Sequence, residues 1–249
     1  MTNKSEIDVF RNLLSKCLVL PEVSMVKPSI KEFLRCKSTT IVSFLNFHAV
    51  NISMKNNDFK MALLDSDYLY RDGVGTEVAM KAISKAPGIN MNGTDLIPQI
   101  IQSGTEENLP IILWGTEAQY LIKAKNYIEK SDGKVLDICD GFQDYEHYVE
   151  RLVKLDIDKG IIILAMGMPK QELLSKKLKS RFPAGFTVVN GGAVLDFIAG
   201  KQPRAPAFMR KLKLEFLYRL TREPRRMWRR TILGGTAFIY KTLVLYIKK

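Results

Sequence analysis

The sequence predicts an α/β fold, a mostly parallel sheet covered on both faces by helices, with a basic helical appendage at the C-terminus. Three observations carry this. Six short runs are largely apolar and β-branched or aromatic, as strands buried on both faces must be. Segments of helical periodicity separate them, as crossovers between parallel strands require. The charge is also divided: of 38 Lys/Arg and 26 Asp/Glu, residues 200–249 hold 14 and 2, leaving 24 of each sign in residues 1–199.

Taken in order, Thr40–Leu45 reads as the first strand, because Thr, Ile, Val and Phe favour extended backbone. Phe59–Leu64 has helical spacing and leads to a second strand, Tyr68–Arg71. Gly75–Ser84 and Asp95–Gln102 read as helices before Ile111–Trp114. Ala118–Glu129 precedes the strand Val135–Ile138, Tyr145–Lys154 precedes Ile161–Met166, and Gln171–Lys179 precedes Phe186–Val189. The run from Gly200 to Pro206 interrupts any regular element, so the body is assigned to residues 1–199 and the appendage to 200–249.

At 249 residues and 46% hydrophobic, the chain is long enough to bury a full core. Cys17, Cys36 and Cys139 are widely spaced and in no CxxC pattern, which fits a reducing compartment and supports neither a disulfide framework nor a zinc site. The N-terminal residues lack the apolar core of a signal peptide. The apolar stretch Thr231–Ile247 is shorter than the ~20 residues of a membrane span and contains Lys241. The expected location is cytoplasmic, peripheral on the inner face of the cell membrane.

Small, polar and acidic residues follow each strand: Asn46-Phe47-His48, Asp72-Gly73-Val74-Gly75, Gly115-Thr116-Glu117, Asp140-Gly141-Phe142, Gly167 to Glu172, and Asn190-Gly191-Gly192. Open α/β sheets bind ligands on that edge, so a nucleotide or nucleotide-sugar is the natural candidate, although glycine after a strand is also ordinary turn chemistry. No GxGxxG or GxxxxGK[ST] pattern is present, which disfavours dinucleotide and ATP readings. The DxD pairs Asp65/Asp67 and Asp156/Asp158 precede strands and read as solvated turns rather than metal ligands. Asp72 is either a turn residue or a catalytic carboxylate. Thr94 or Asp95 is expected to cap a helix, with ligand contact as a second role. His147 is expected to be exposed, and His48 to pack in the core or touch ligand.

In the appendage, Phe208, Met209, Leu212, Phe216, Leu217 and Leu220 recur at helical spacing, and Arg222, Arg225, Arg226, Arg229 and Arg230 surround Trp228. Cations beside large apolar residues suit an interfacial helix on anionic lipid, each contributing roughly 1 kcal/mol. A helix packed on the core with a solvated charged face, or arginines gripping a diphosphate, would give the same pattern. Nucleic-acid binding would require basic residues on the body too, and the body is neutral.

The ordered set Asn46-Phe-His48, Asp72-Gly-Val-Gly75, Gly93-Thr-Asp-Leu96, Gly167-Met-Pro-Lys-Gln-Glu172, Asp196-Phe-Ile-Ala-Gly200, Arg204-Ala-Pro206, Glu215 to Leu220 and Glu223-Pro-Arg225 resembles the WecG/TagA/CpsF glycosyltransferases, over residues 30–232 or so. The resemblance implies a Rossmann-like body whose appendage docks on membrane and completes the active site. It implies an inverting transfer, without metal or other cofactor, from a UDP-sugar to an undecaprenyl-diphosphate-linked saccharide in cell-surface polysaccharide synthesis. Asp72 matches the proposed general base, Asn46 a residue near the reacting sugar, and Gln171 a residue lining the same pocket. Asp196 and Asn190-Gly191-Gly192 match the uridine region, where relatives usually read Gly-Val-Gly, and Phe142 offers a stacking surface. Thr94 and Asp95 are added as substrate contacts, and Arg204, Arg219, Arg222 and Arg225 as diphosphate or lipid contacts. The implied partners are the UDP-sugar, the polyprenyl-diphosphate acceptor and an anionic membrane surface, with no nucleic acid and with homo-oligomerisation left open. The sugar itself is also left open among N-acetylmannosamine, its uronic acid, glucose and glucuronic acid. The rival class is a non-catalytic basic module that binds membrane or nucleic acid.

Overall fold

The computed structural model describes residues 4–212 and 214–247. Six strands, β1 (Thr40–Leu45), β2 (Tyr68–Arg71), β3 (Ile111–Gly115), β4 (Val135–Cys139), β5 (Gly160–Ala165) and β6 (Phe186–Asn190), form one sheet in the order β2-β1-β6-β5-β3-β4. Every pairing is parallel. The expected α/β class and all six expected strands are found, each within one residue at either end.

Helices α1 (Lys4–Lys16) and α2 (Val26–Leu34) precede β1. The crossovers are α3 (Phe47–Ser53) with α4 (Asn57–Leu64), α5 (Gly73–Ala82) with α6 (Gly93–Glu106), then α7 (Ala118–Glu129), α8 (Tyr145–Leu155) and α9 (Lys170–Arg181). After β6 come α10 (Val194–Ile198), α11 (Ala207–Lys211), α12 (Glu215–Arg222), α13 (Pro224–Trp228), a π-helical turn (Arg229–Leu233) and α14 (Gly234–Ile247).

Alternate strand residues point to opposite faces, which splits the core. Ile111, Leu113, Ile161 and Ile163 pack with α2, α6 and α7 on one face, and Ile112, Trp114, Ile162 and Leu164 with α8 and α9 on the other. A further cluster joins Leu45 and Leu69 to α1, α3, α4, α5 and α14. The last helix therefore shares the core of the body. Phe238 is 3% exposed, with its ring centroid 5.2 Å from that of Phe10 and 6.2 Å from that of Phe47. A Cβ on Gly75 would stand 3.3 Å from the Phe238 ring, so the second glycine of Asp72-Gly-Val-Gly75 makes room for α14.

Two local readings need correction. The cap of α6 is Asn92, not Thr94 or Asp95, because the Asn92 Oδ1 reaches the Asp95 N–H at 3.0 Å and starts the helix earlier. His48 leaves the core and faces the cleft described below. The Asp65/Asp67 pair lies where expected, at the amino edge, with Lys176 2.7 Å from Asp65 and Lys179 2.6 Å from Asp67. His147 is exposed. Among the described residues no helix is long and apolar enough to cross a membrane.

Candidate active site

All six strands end on one edge, and the loops beyond them line a cleft of about 1680 Å³. That exceeds the ~300–1000 Å³ of a typical small-molecule site and leaves room for two substrates side by side. The appendage forms the facing wall with Lys201, Arg204, Arg210, Arg219, Arg229 and Arg230. Of the residues singled out from sequence, Asn46, Asp72, Thr94, Asp95, Phe142, Gln171, Asn190, Gly192, Asp196, Arg204 and Arg219 all line this one cleft. Arg222 and Arg225 do not, and both are exposed.

Asp72 stands at the carboxyl end of β2, where Gly73 (φ +84°) turns the chain into α5. Its side chain makes no capping bond to the helix it precedes, which leaves the carboxylate for the cleft. Asn46 caps α3 instead: its Oδ1 accepts from the N–H groups of His48 (3.1 Å) and Ala49 (3.0 Å). That bond turns the Asn46 amide nitrogen toward Asp72, to which it donates at 3.4 Å. Burial pushes the Asp72 carboxyl above the ordinary value, the Asn46 bond and the charges of Arg219 and Arg230 pull it down, and Glu215 pushes it up. His48, which lines the same cleft, is pushed down to about 4 by burial and by Arg230, so its imidazole is neutral near pH 7.

Sequence reasoning missed the support of this corner. Arg71, 4% exposed, donates to the carbonyls of Pro87 (2.7 Å) and Gly88 (2.8 Å) and to Asn90 Oδ1 (3.3 Å). Asn90 Oδ1 also accepts from Gly73 N–H at 3.0 Å, tying the loop at residues 87–90 to the turn that presents Asp72. The signal was present: an arginine ending an otherwise apolar strand needs buried acceptors.

On the other side, Gln171 is fully buried, and its Oε1 accepts from the N–H groups of Gly167 (3.2 Å) and Gly192 (3.0 Å). Its Nε2 donates to Glu172 Oε1 at 2.8 Å. Asn190 Nδ2 donates to Ser43 (2.8 Å) and Ser175 (3.2 Å). Gln171 therefore holds the two glycine loops from beneath, and Asn190 ties the end of β6 to β1 and α9. Gly192 has φ +59° and open space where a side chain would stand, so backbone is offered to a ligand there.

Toward the far end, Asp196 accepts from the Thr116 hydroxyl and lies 3.6 Å from Lys201, which also pairs with Glu117 at 2.9 Å. Phe142 is 74% exposed at the rim, its N–H held by Asp140 Oδ1 at 2.9 Å. Thr94 lies in the first turn of α6. Asp95 pairs with Arg204 at 2.7 Å; burial raises its carboxyl, but the bonds from Arg204 and Asn92 outweigh that and hold it below the usual range. Arg219 pairs with Glu215 at 2.8 Å and stacks over Phe197 at 4.9 Å. The Nε atoms of Arg204 and Arg219 are buried and have no hydrogen-bond partner among the described residues.

The profile of the glycosyl transferase WecG/TagA/CpsF family matches residues 20–249. The chain is similar to an N-acetylglucosaminyldiphosphoundecaprenol N-acetyl-beta-D-mannosaminyltransferase of Bacillus spizizenii, 27% identical over 184 residues, covering 72% of this chain and 70% of that protein. A Bacillus subtilis protein of the same name is 24% identical over 205 residues, covering 81% of this chain and 78% of its own.

Proposed function

The chain belongs to the glycosyl transferase WecG/TagA/CpsF family and is a glycosyltransferase, and from that premise we propose that it moves N-acetylmannosamine or a related sugar from a UDP-sugar to an undecaprenyl-diphosphate-linked saccharide. The names of the two Bacillus relatives support N-acetylglucosaminyl-diphospho-undecaprenol as the acceptor. The observation that carries the reading is Asp72: a carboxylate with raised basicity, freed from capping, in a cleft whose facing wall is cationic.

In this reaction Asp72 takes the proton of the acceptor hydroxyl as that oxygen attacks the anomeric carbon from the face opposite UDP, inverting it. Asn46 holds the carboxylate in place. The departing diphosphate gains charge, which Arg204 and Arg219 would meet without a metal ion. Phe142, Thr116 and Asp196 border the uridine end. The appendage also carries exposed Phe208 (63%), Leu212 (64%), Trp228 (42%) and Ile239 (61%) among its cations, which suits docking on the anionic inner face of the cell membrane.

The test is a panel of UDP-sugars with a short-chain lipid-diphosphate acceptor, wild type against Asp72→Asn. Removing a general base is expected to lower kcat by about 10²–10⁴-fold, with UDP binding kept and transfer insensitive to chelators. Unchanged kcat in Asp72→Asn would refute the base assignment, and absence of transfer with every donor would refute the substrate class.

A further inference from the structure

Beneath the cleft, α9, β1 and β6 enclose a polar cluster of Ser43, Ser66, Gln171, Glu172, Ser175 and Asn190, none more than 3% exposed. Counting hydrogens fixes its bond directions. Ser66 donates to the Ala62 carbonyl at 3.1 Å, so the 2.7 Å contact between Ser43 and Ser66 is donated by Ser43. Ser175 donates to the Glu172 carbonyl at 2.9 Å. Both hydroxyls therefore accept from Asn190 Nδ2, whose two hydrogens are thereby spent. Gln171 Nε2 donates to Glu172 Oε1.

Two buried acceptors are left over, Glu172 Oε2 and Asn190 Oδ1. With Glu172 ionised, the cluster holds an unpaired charge and two oxygens without donors, each a substantial cost in a dry interior. One proton on Glu172 removes the charge and turns one of the two orphaned acceptors into a donor.

We propose that Glu172 works as the neutral acid and is a positioning residue for the sugar-nucleotide half of the site. The inference rests on the transferase reading and deepens it. By accepting from Gln171 Nε2, Glu172 selects the amide orientation in which Gln171 Oε1 faces Gly167 and Gly192. The flipped amide would set NH₂ against two N–H groups and release both loops. Burial supports the neutral form, raising the Glu172 carboxyl to about 7. Tyr145, at the start of α8, is the titratable side chain facing it; β1, β5 and β6 bring no charged residue; from α4, Asp65 is paired with Lys176.

The full-length protein and its Glu172→Gln and Glu172→Leu variants are compared in thermal melts, UDP binding and transfer kinetics across the range bracketing pH 7. Because the folded-state value lies above the ordinary one, the stability that Glu172 contributes is full below the ordinary 4.5 and is lost as pH rises from there through about 7. Wild type is expected to lose melting temperature over that interval. Glu172→Gln, uncharged and of equal shape, is expected to keep it nearly level and to keep KM near the wild-type value. Glu172→Leu is expected to raise KM for the sugar donor about tenfold, the factor typical of lost supporting bonds, with kcat less affected. A Gln variant that tracks the wild-type pH profile, or that is as damaged as the Leu variant, overturns the proposal. If wild type transfers no sugar, the function reading falls, and the melts of wild type and Gln variant still decide the state of Glu172. If the Leu variant does not fold, that same pair decides.

Discussion

Truncation of Phe238 to alanine measures how far α14 belongs to the catalytic body. The ring is 3% exposed, wedged between Phe10 and Phe47 and over Gly75. Deleting a buried phenylalanine costs about 3–5 kcal/mol, through lost burial and the cavity left behind. Other anchors of α14 are the buried Thr242 and Leu245, the bond from Asn51 to the Gly234 carbonyl at 2.8 Å and that from Lys241 to Asn51 at 3.4 Å. If the protein unfolds as a unit, a loss of that size lowers Tm by about 6–20 °C for a chain of this length. If α14 undocks first, the same free energy appears as amide exchange in residues 234–247 faster by roughly two to nearly four powers of ten. Melting combined with exchange mass spectrometry captures both outcomes. Transfer is expected to fall as well, because the π-helical turn that brings Arg229 and Arg230 to the cleft is continuous with α14. A variant with unchanged Tm and unchanged exchange would refute the packing and with it the account of Gly75.

Arg222→Ala and Arg225→Ala are expected to leave turnover with a short, soluble acceptor within about twofold of wild type, and each to weaken binding to anionic vesicles by about fivefold, the loss of ~1 kcal/mol. Vesicle sedimentation beside kinetics checks this, and a kcat loss matching that of Arg219→Ala would place both arginines in the chemistry. For Glu172, a carboxyl displaced from 4.5 to about 7 corresponds to about 3 kcal/mol. Urea unfolding should therefore show Glu172→Gln gaining up to about that much on wild type between acid and alkaline pH.

The sheet was legible because parallel strands buried on both faces are continuous apolar runs, as at Thr40–Leu45 and Ile161–Met166. The short helices were not: α3 has 7 residues and α10 has 5, too few for a 3.6-residue period to stand out. Gly75 looked like a place for ligand and does line the cleft, but the ring packed against it, Phe238, comes from the far end of the chain, and no local pattern carries that information. Gln171 and Asn190 follow strands and so read as ligand contacts, yet their hydrogen bonds run inward. The division between neutral body and cationic appendage is a matter of counting. Which arginines enter the cleft is not, because the turns between α12, α13 and the π-helical segment decide it.

The same cations that suit a diphosphate also act on the base, and this couples binding to reactivity. In the free protein Arg219 and Arg230 hold down an Asp72 carboxyl that burial raises. A diphosphate bound against those arginines offsets their charge and adds its own, so Asp72 becomes more basic once the sugar nucleotide is in place. The acid limb of kcat/KM reports the free protein and that of kcat reports the complex. The limb of kcat is therefore expected at the higher pH. Arg219→Ala should move the kcat/KM limb upward, since a pull toward the ionised form is removed, and Glu215→Gln should move it downward, since a repulsion is removed. Coincident limbs in wild type, unmoved by either change, would mean that the arginine field does not reach the carboxylate and that the cationic wall serves the diphosphate alone.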